Sequence, residues 1–278
     1  MVILKQAELD SLAKKASEIR KSILEMIHHS DSGHTGGSLS MVEIMVALYY
    51  RIMRHDANNP DWPRRDRFIL SKGHCAPALY AVLADCGYFP IEDLKRLRQI
   101  GQHLQGHPNH RKTPGVEATT GSLGQGLSIA LGMALGATLR GDKQYYYVLC
   151  GDGEMQEGQI WEAAMFGHKY KLCNVIAFVD RNYYQQNDHT EQIMPLEPLA
   201  PKWNSFGWNT YEIDGHDFQQ IFDAVERAKS QNDSASVIIA HTTKGKGVSF
   251  MENQPGWHGK SLNKEELERA SKELGYGV

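Results

Sequence analysis

An aspartate flanked by glycines, Gly151-Asp152-Gly153, is followed 30 residues later by Asn182. One carboxylate and one amide oxygen suit a hard divalent cation, and Mg2+ takes few protein ligands when substrate phosphates supply the rest. A loop carbonyl at Tyr184 would complete the set. The flanking glycines let backbone approach phosphate closely. The alternative is a tight turn in which Asp152 only caps the helix that follows.

Histidine is the next signal. Of 13 in the chain, His34, His74, His107 and His258 sit beside or near glycine in separate loops. Neutral imidazoles can bond sugar hydroxyls and phosphate and can shuttle protons. His103, His107 and His110 have a spacing that could suggest zinc, but no cysteine lies near them and no His-Glu-x-x-His occurs. Glu157 and Glu162 read either as acids complementing a helix N-terminus or as buried acids that pass protons or pair across an interface. Lys244, in Thr242-Thr243-Lys244-Gly245-Lys246-Gly247, reads either as a diphosphate ligand or as a solvated lysine. Neither G-x-x-x-x-G-K-[ST] nor a complete G-x-G-x-x-G is present, which disfavours a P-loop and a standard dinucleotide site.

The elements that must hold these residues alternate. Periodicity predicts a helix over about 7–29, with Ile19, Ile23, Met26 and Ile27 on one side. A Gly-rich break spans Ser32 to Gly37. Ser40 and Glu43 read as a capping box opening a helix to about 53. A short strand at Phe68-Ile69-Leu70 leads into a helix ending at Gly87. The segment 101–126 reads as an irregular functional loop. A buried apolar helix is expected over about 124–139, then a strand 145–150, a helix 158–170 and a strand 175–179. A strand near 208–213, a helix near 217–230 and a strand 237–240 follow. This order predicts an α/β fold, a mostly parallel central sheet with helices on both faces. Ligands bind such sheets at the carboxyl ends of the strands. The polar, Gly-rich clusters 71–74, 151–153, 180–182 and 241–247 all fall there.

Composition sets the limits. The chain has 278 residues, 30 basic and 33 acidic, for a net charge of −3. That gives no cationic excess for nucleic acid. Cys75, Cys86, Cys150 and Cys173 form no Cys-x-x-Cys pair and read as reduced thiols. No signal-peptide or membrane-spanning pattern occurs, so no membrane role and a cytoplasmic location are expected.

Together these motifs closely resemble the N-terminal, diphosphate-binding region of transketolase. The specific part is Ser32-Gly33-His34, Ser71-Lys72-Gly73-His74, Gly106-His107-Pro108, Thr120 through Gly126 and Trp257-His258-Gly259, in order and spacing from about residue 10 to 265. The resemblance implies a single thiamine-diphosphate-binding domain over 1–278, with a helical segment at about 7–29 and a tail at about 262–278. It implies thiamine diphosphate as cofactor and Mg2+, for which Ca2+ or Mn2+ would substitute, held by Asp152, Asn182 and the Tyr184 carbonyl. Gly153, His74 and His258 would contact the diphosphate, with Asn182 beside them, and Gly121 and Leu123 the cofactor rings. Lys244 and Gln186 resemble the animal-type branch, where they face the diphosphate and thiazolium. His34, His107 and His258 would serve catalysis by facing the donor hydroxyls. Glu157 and Glu162 would lie near the interface linking paired sites, Glu157 close to the cofactor. Thr35 and Ser122 stand where prolines are common, which alters loop stiffness.

By the same resemblance, the glutamate that activates the cofactor belongs to a pyrimidine-binding domain expected beyond Val278. The chain is therefore expected to be one half of a split transketolase, joined in an α2β2 assembly by a C-terminal subunit. The pair would move a two-carbon ketol unit from a ketose phosphate to an aldose phosphate, as in the pentose phosphate pathway. Two alternatives are the α subunit of a thiamine-dependent 2-oxo-acid dehydrogenase and a non-catalytic regulatory homologue.

Overall fold

The computed structural model describes residues 4–276; residues 1–3 and 277–278 of the expected domain lie outside the described residues. Five strands form one sheet: β1 (Arg67–Leu70), β2 (Tyr146–Gly151), β3 (Val175–Arg181), β4 (Asn209–Asp214) and β5 (Ser236–His241). Their order is β1-β2-β3-β5-β4 and every pairing is parallel. Parallel strands covered on both faces read as continuous apolar runs, and all seven residues of β3 are buried.

Alternation along the strands splits the core in two. Tyr147, Leu149, Ile176, Phe178 and Ile238 face one layer, while Tyr146, Val148, Val175, Ala177, Val179, Val237 and Ile239 face the other. The first layer receives α1 (Gln6–Ser30), α2 (Thr35–Ser40), α3 (Val42–Ala47) and α4 (Ala76–Asp85). The second receives α5 (Gln125–Arg140) and α6 (Gly158–Lys169). The remaining helices are α7 (Thr190–Ile193), α8 (Leu199–Ser205), α9 (Phe218–Lys229) and α10 (Lys264–Glu273). Of these, α8 joins the second layer and α9 the first.

Three expectations change. The helix assigned to a Ser40–Glu43 capping box starts earlier, as α2, and continues as α3 and a π-helical turn over Leu48–Ile52. Neither side chain caps it. The Ser40 hydroxyl donates to the Gly37 carbonyl at 3.1 Å and to Asp180 at 2.6 Å. Glu43 instead pairs with buried Arg20 at 2.7 Å. A buried guanidinium needs its carboxylate more than a helix start needs a cap. Second, α5 is not buried all round. Leu127, Ala130, Leu131, Ala134 and Ala137 face the sheet. Ile129 is 37% and Leu139 80% exposed, and Met165 of α6 and Tyr170 just after it are 55% and 47% exposed. Third, the expected tail contains α10, whose Asn263 and Glu266 form a reciprocal capping box. That pattern was present in the sequence.

Candidate functional site

Parallel pairing sets the strand ends side by side. Gly151 of β2 lies opposite Asp180 of β3, and Asp180 lies opposite Ala240 of β5. The loops leaving these ends, with the 71–74 and 121–126 segments, enclose a cavity of about 370 Å³. Its walls include His34, His74, Gly121, Leu123, Asp152, Gly153, Glu157, Asn182, Tyr184, Gln186, Lys244 and His258. Twelve positions singled out in the sequence thus meet in one place.

Two do not. His107 is exposed at the rim, outside the cavity walls, where its imidazole packs against Gly121. Gly121 has φ of +146°, and a Cβ there would lie 2.9 Å from the His107 ring; only glycine permits both. Glu162 is exposed in a separate groove between α5 and α6. Glu157 is exposed as well, so neither is a buried acid.

Three imidazoles form a cluster. The ring centroids are 5.0 Å apart for His34 and His74, 5.3 Å for His34 and His258, and 5.5 Å for His74 and His258. Burial lowers their pKa values, and neighbouring cations and imidazoles add to the effect: about 4 for His34, about 4 for His74 and about 3 for His258. All three are neutral near pH 7. Lys244 is 1% exposed, so it is not the solvated lysine. Its ammonium donates to the Gln185 carbonyl at 2.8 Å and lies 3.1 Å from His258 Nδ1. Burial brings it down to about 8.

Beneath them lies a buried acidic floor. Asp152 accepts from the Gly153 N–H at 2.7 Å and the Tyr183 N–H at 2.6 Å, and Arg181 lies 3.2 Å away. The capping reading of Asp152 therefore holds locally, while the residue also lines the cavity. Burial and then the Asp180 charge push its pKa to about 6, against Arg181 and the two N–H donors. Asn182 donates to Asp180 at 2.9 Å, and its Oδ1 accepts the Tyr184 N–H at 3.1 Å. Lys72 forms a buried ion pair with Asp180. Burial opposes both charges, but their attraction keeps Lys72 protonated and Asp180 ionised.

Sequence reasoning passed over four participants. Lys72 lay inside one of the resemblance motifs without a role. Glu154 is the acid that is buried, rather than Glu157 or Glu162. Gln185 lines the cavity against Gly153, and its Nε2 is buried without a hydrogen-bond partner. Arg98 has φ of +61° and donates to the Ser32 hydroxyl at 2.8 Å. Its charge works against protonation of both His34 and His107. Of the two substituted prolines, Thr35 has a specific contact: its hydroxyl donates to the Lys260 carbonyl at 2.7 Å. Ser122 is exposed.

Among the described residues, no cluster of three His, Cys, Asp or Glu side chains forms a stand-alone metal site, which removes the zinc spacing of His103, His107 and His110. His103 lies 3.2 Å from Asp93, and His110 2.8 Å from Thr119. The cavity instead offers neutral donors and two lysines, Lys244 and the Asp180-paired Lys72, with buried carboxylates, which suits an anionic ligand carrying its own divalent cation.

Residues 11–278 match the family described as "Transketolase, thiamine diphosphate binding domain". The 6-deoxy-6-sulfo-D-fructose transketolase subunit SqwG of Clostridium sp. (strain MSTE9) is 49% identical over 95% of this chain and 96% of its own length. An apulose-4-phosphate transketolase subunit from Actinobacillus succinogenes is 43% identical, with 95% and 96% covered. The crystal structure of transketolase from Campylobacter jejuni superposes with a TM-score of 0.91 at 32% identity. It covers 100% of this chain, which spans 44% of that longer one.

Proposed function

The chain belongs to the transketolase family, and on that premise we propose that it is the diphosphate-binding subunit of a two-chain enzyme transferring a two-carbon ketol unit between a ketose and an aldose. The observation that carries this reading is the single strand-end cavity joining Asp152 and Asn182 to His34, His74, His258 and Lys244. The parallel sheet is the thiamine-diphosphate-binding fold of its structural relatives, and the whole chain serves as one such domain.

The residues fit a magnesium diphosphate. Asp152 and the Asn182 amide, with the Tyr184 carbonyl, would hold the cation; a cation there offsets the burial that raises Asp152. Lys244, His74, His258 and the backbone at Gly153 would receive the diphosphate. Gln186 extends that wall, Gly121 and Leu123 would lie against the cofactor rings, and Glu157 would stand at the rim. Thiamine diphosphate, when bound, supplies the carbanion chemistry that protein side chains lack. This chain's part is to bind, orient and present hydrogen bonds. Being neutral, His34 and His258 can each accept or donate a proton at a sugar hydroxyl without desolvating a charge. His107 and Arg98 stand at the mouth, where a second portion of substrate would pass.

A partner chain completes the site. The two similar relatives of equal length carry the word subunit in their names, and the solved relative is more than twice as long. The exposed apolar residues Ile129, Leu139, Met165 and Tyr170 form the kind of surface that assembly covers. We assign that role to a C-terminal transketolase subunit in an α2β2 enzyme, which would also grip the anionic end of the sugar. The substrate class is a ketose with an anionic terminus, phosphate or sulfonate. No described helix is long and apolar enough to cross a membrane, and we place the enzyme in the cytoplasm. To test this, the chain is assayed alone and with its candidate partner, using ketose phosphates, 6-deoxy-6-sulfofructose and 2-oxo acids. Ketol transfer that requires both chains is expected. Full activity from this chain alone would overturn the split assignment, 2-oxo-acid decarboxylation the reaction class, and failure to bind magnesium thiamine diphosphate with the partner present the catalytic role.

A further inference from the structure

We propose that Glu154 is a positioning residue that locks three cavity-facing loops, 71–74, 121–126 and 151–153, into one rigid unit. The Glu154 carboxylate is 2% exposed and makes one bond to each loop. Its Oε1 accepts from the Ser71 hydroxyl at 2.5 Å and from the Gly124 N–H at 2.8 Å. Its Oε2 accepts from the Gly151 N–H at 2.9 Å. Every one of these loops supplies cavity walls: His74 from the first, Gly121 and Leu123 from the second, Asp152 and Gly153 from the third.

The loops need such an acceptor because they touch backbone to backbone. A Cβ on Gly73 would lie 2.8 Å from the Gly121 nitrogen, and one on Gly126 would lie 2.6 Å from the Ser71 Cα. No interdigitating side chain can set spacing where glycine alone fits. Two of the three donors are backbone N–H groups, of Gly124 and of Gly151 at the end of β2, whose burial demands a partner. Hydrogen bonds to an ionised carboxylate are shorter and stronger than neutral ones, so one charge at the junction holds all three loops together. Burial pushes the Glu154 pKa up while the three donors oppose it. The half-buried carboxylate Glu117 gives the contrast. It holds Arg65 and Arg67 at the edge of β1 and touches no cavity wall.

The role rests on the cofactor reading only for its consequence. A site whose loops are already ordered pays less on binding. The test compares wild type with Glu154→Gln and Glu117→Gln in the full chain. Amide hydrogen exchange is read without ligand, and magnesium thiamine diphosphate is titrated calorimetrically with the partner present. Glutamine keeps one acceptor oxygen but turns a donor on Gly151 or on the Ser71–Gly124 pair. Exchange in E154Q should rise about tenfold in all three loops together, Gly151 at the end of β2 included, while the rest of β2 and β3 stay protected. Its Kd for the cofactor should weaken by about the same factor. E117Q should lower thermal stability without that three-loop pattern. Unchanged exchange, a rise in one loop only, or an even rise across the chain would overturn the clamp. If wild type itself fails to bind the cofactor, the cofactor reading falls, and the exchange pattern still decides the clamp.

Discussion

Asn182, just past β3, donates its side-chain amide to the carboxylate of Asp180, two residues back near the end of that strand, at 2.9 Å. Asp180 also accepts from Ser40, Thr242 and Lys72. Four donors from four separate segments therefore converge on one buried oxygen pair. The amide that would face a cation is oriented by a carboxylate that would not touch it. Removing one member of a buried ion pair costs about 3–5 kcal/mol because the other charge stays unpaired. Asp180→Asn should lower the free energy of urea unfolding by that order, and adding Lys72→Met should recover part of the loss. A double variant no more stable than Asp180→Asn would show that Lys72 is not the group left in need.

The Arg20–Glu43 pair predicts an acid limb. Burial opposes the Glu43 charge, yet Arg20 and His216 hold its pKa at about 2, against an ordinary 4.5. A carboxylate lowered on folding adds stability above its unfolded value and loses it as pH falls through the folded one. Part of the unfolding free energy should therefore disappear between about pH 4.5 and 2. In Glu43→Gln that part of the slope should be missing, and stability at pH 7 should be lower because Arg20 is left unpaired. Denaturant titrations at stepped pH read both effects.

Lys244 gives cofactor affinity its own pH dependence. Its pKa is about 8 without an anion beside it, and a bound diphosphate would raise it. Affinity should be highest below pH 8 and fall above it, where binding must also take up a proton. Calorimetry with magnesium thiamine diphosphate in two buffers of different ionisation enthalpy measures that uptake. Lys244→Met should bind at least about tenfold more weakly and lose the proton uptake.

Met165 tests assembly. It is 55% exposed on α6, and exposed substitutions usually shift stability by about 0.5 kcal/mol or less. Met165→Glu should leave the unfolding midpoint of the isolated chain in place while reducing association with the partner, read by light scattering. Undiminished assembly would show that this face stays open in the enzyme.

Much of the site was legible because parallel strands deliver their ends to one edge. The clusters around His74, Asp152, Asn182 and Lys244 follow strands whose apolar runs are plain, and all four line the same cavity. Which of the acids is buried was not legible, for a local reason. Glu154 and Glu157 lie three residues apart, so a turn of three residues should align them. The chain instead leaves the short 3-10 turn Gly153–Gln156 at Glu157, which is extended at φ −73° and ψ 127°. Glu154 stays under the loops and Glu157 faces out. No periodicity encodes that exit. The exposed side of α5 was missed because an apolar helix gives no sign of which apolar stripe meets its own sheet.

By itself the sequence determined the layer order, the parallel sheet, the edge where the candidate site lies and the family to which the chain belongs. The first three follow from apolar periodicity and from glycine, aspartate and histidine at strand ends, which are local properties of the chain; the family follows from the resemblance its motifs carry together. The tertiary structure alone decided the Lys72–Asp180 pair, spanning 108 residues, the junction at Glu154 and the burial of Lys244. Each depends on the low dielectric of a packed interior, where a charge must find its partner wherever the fold brings one.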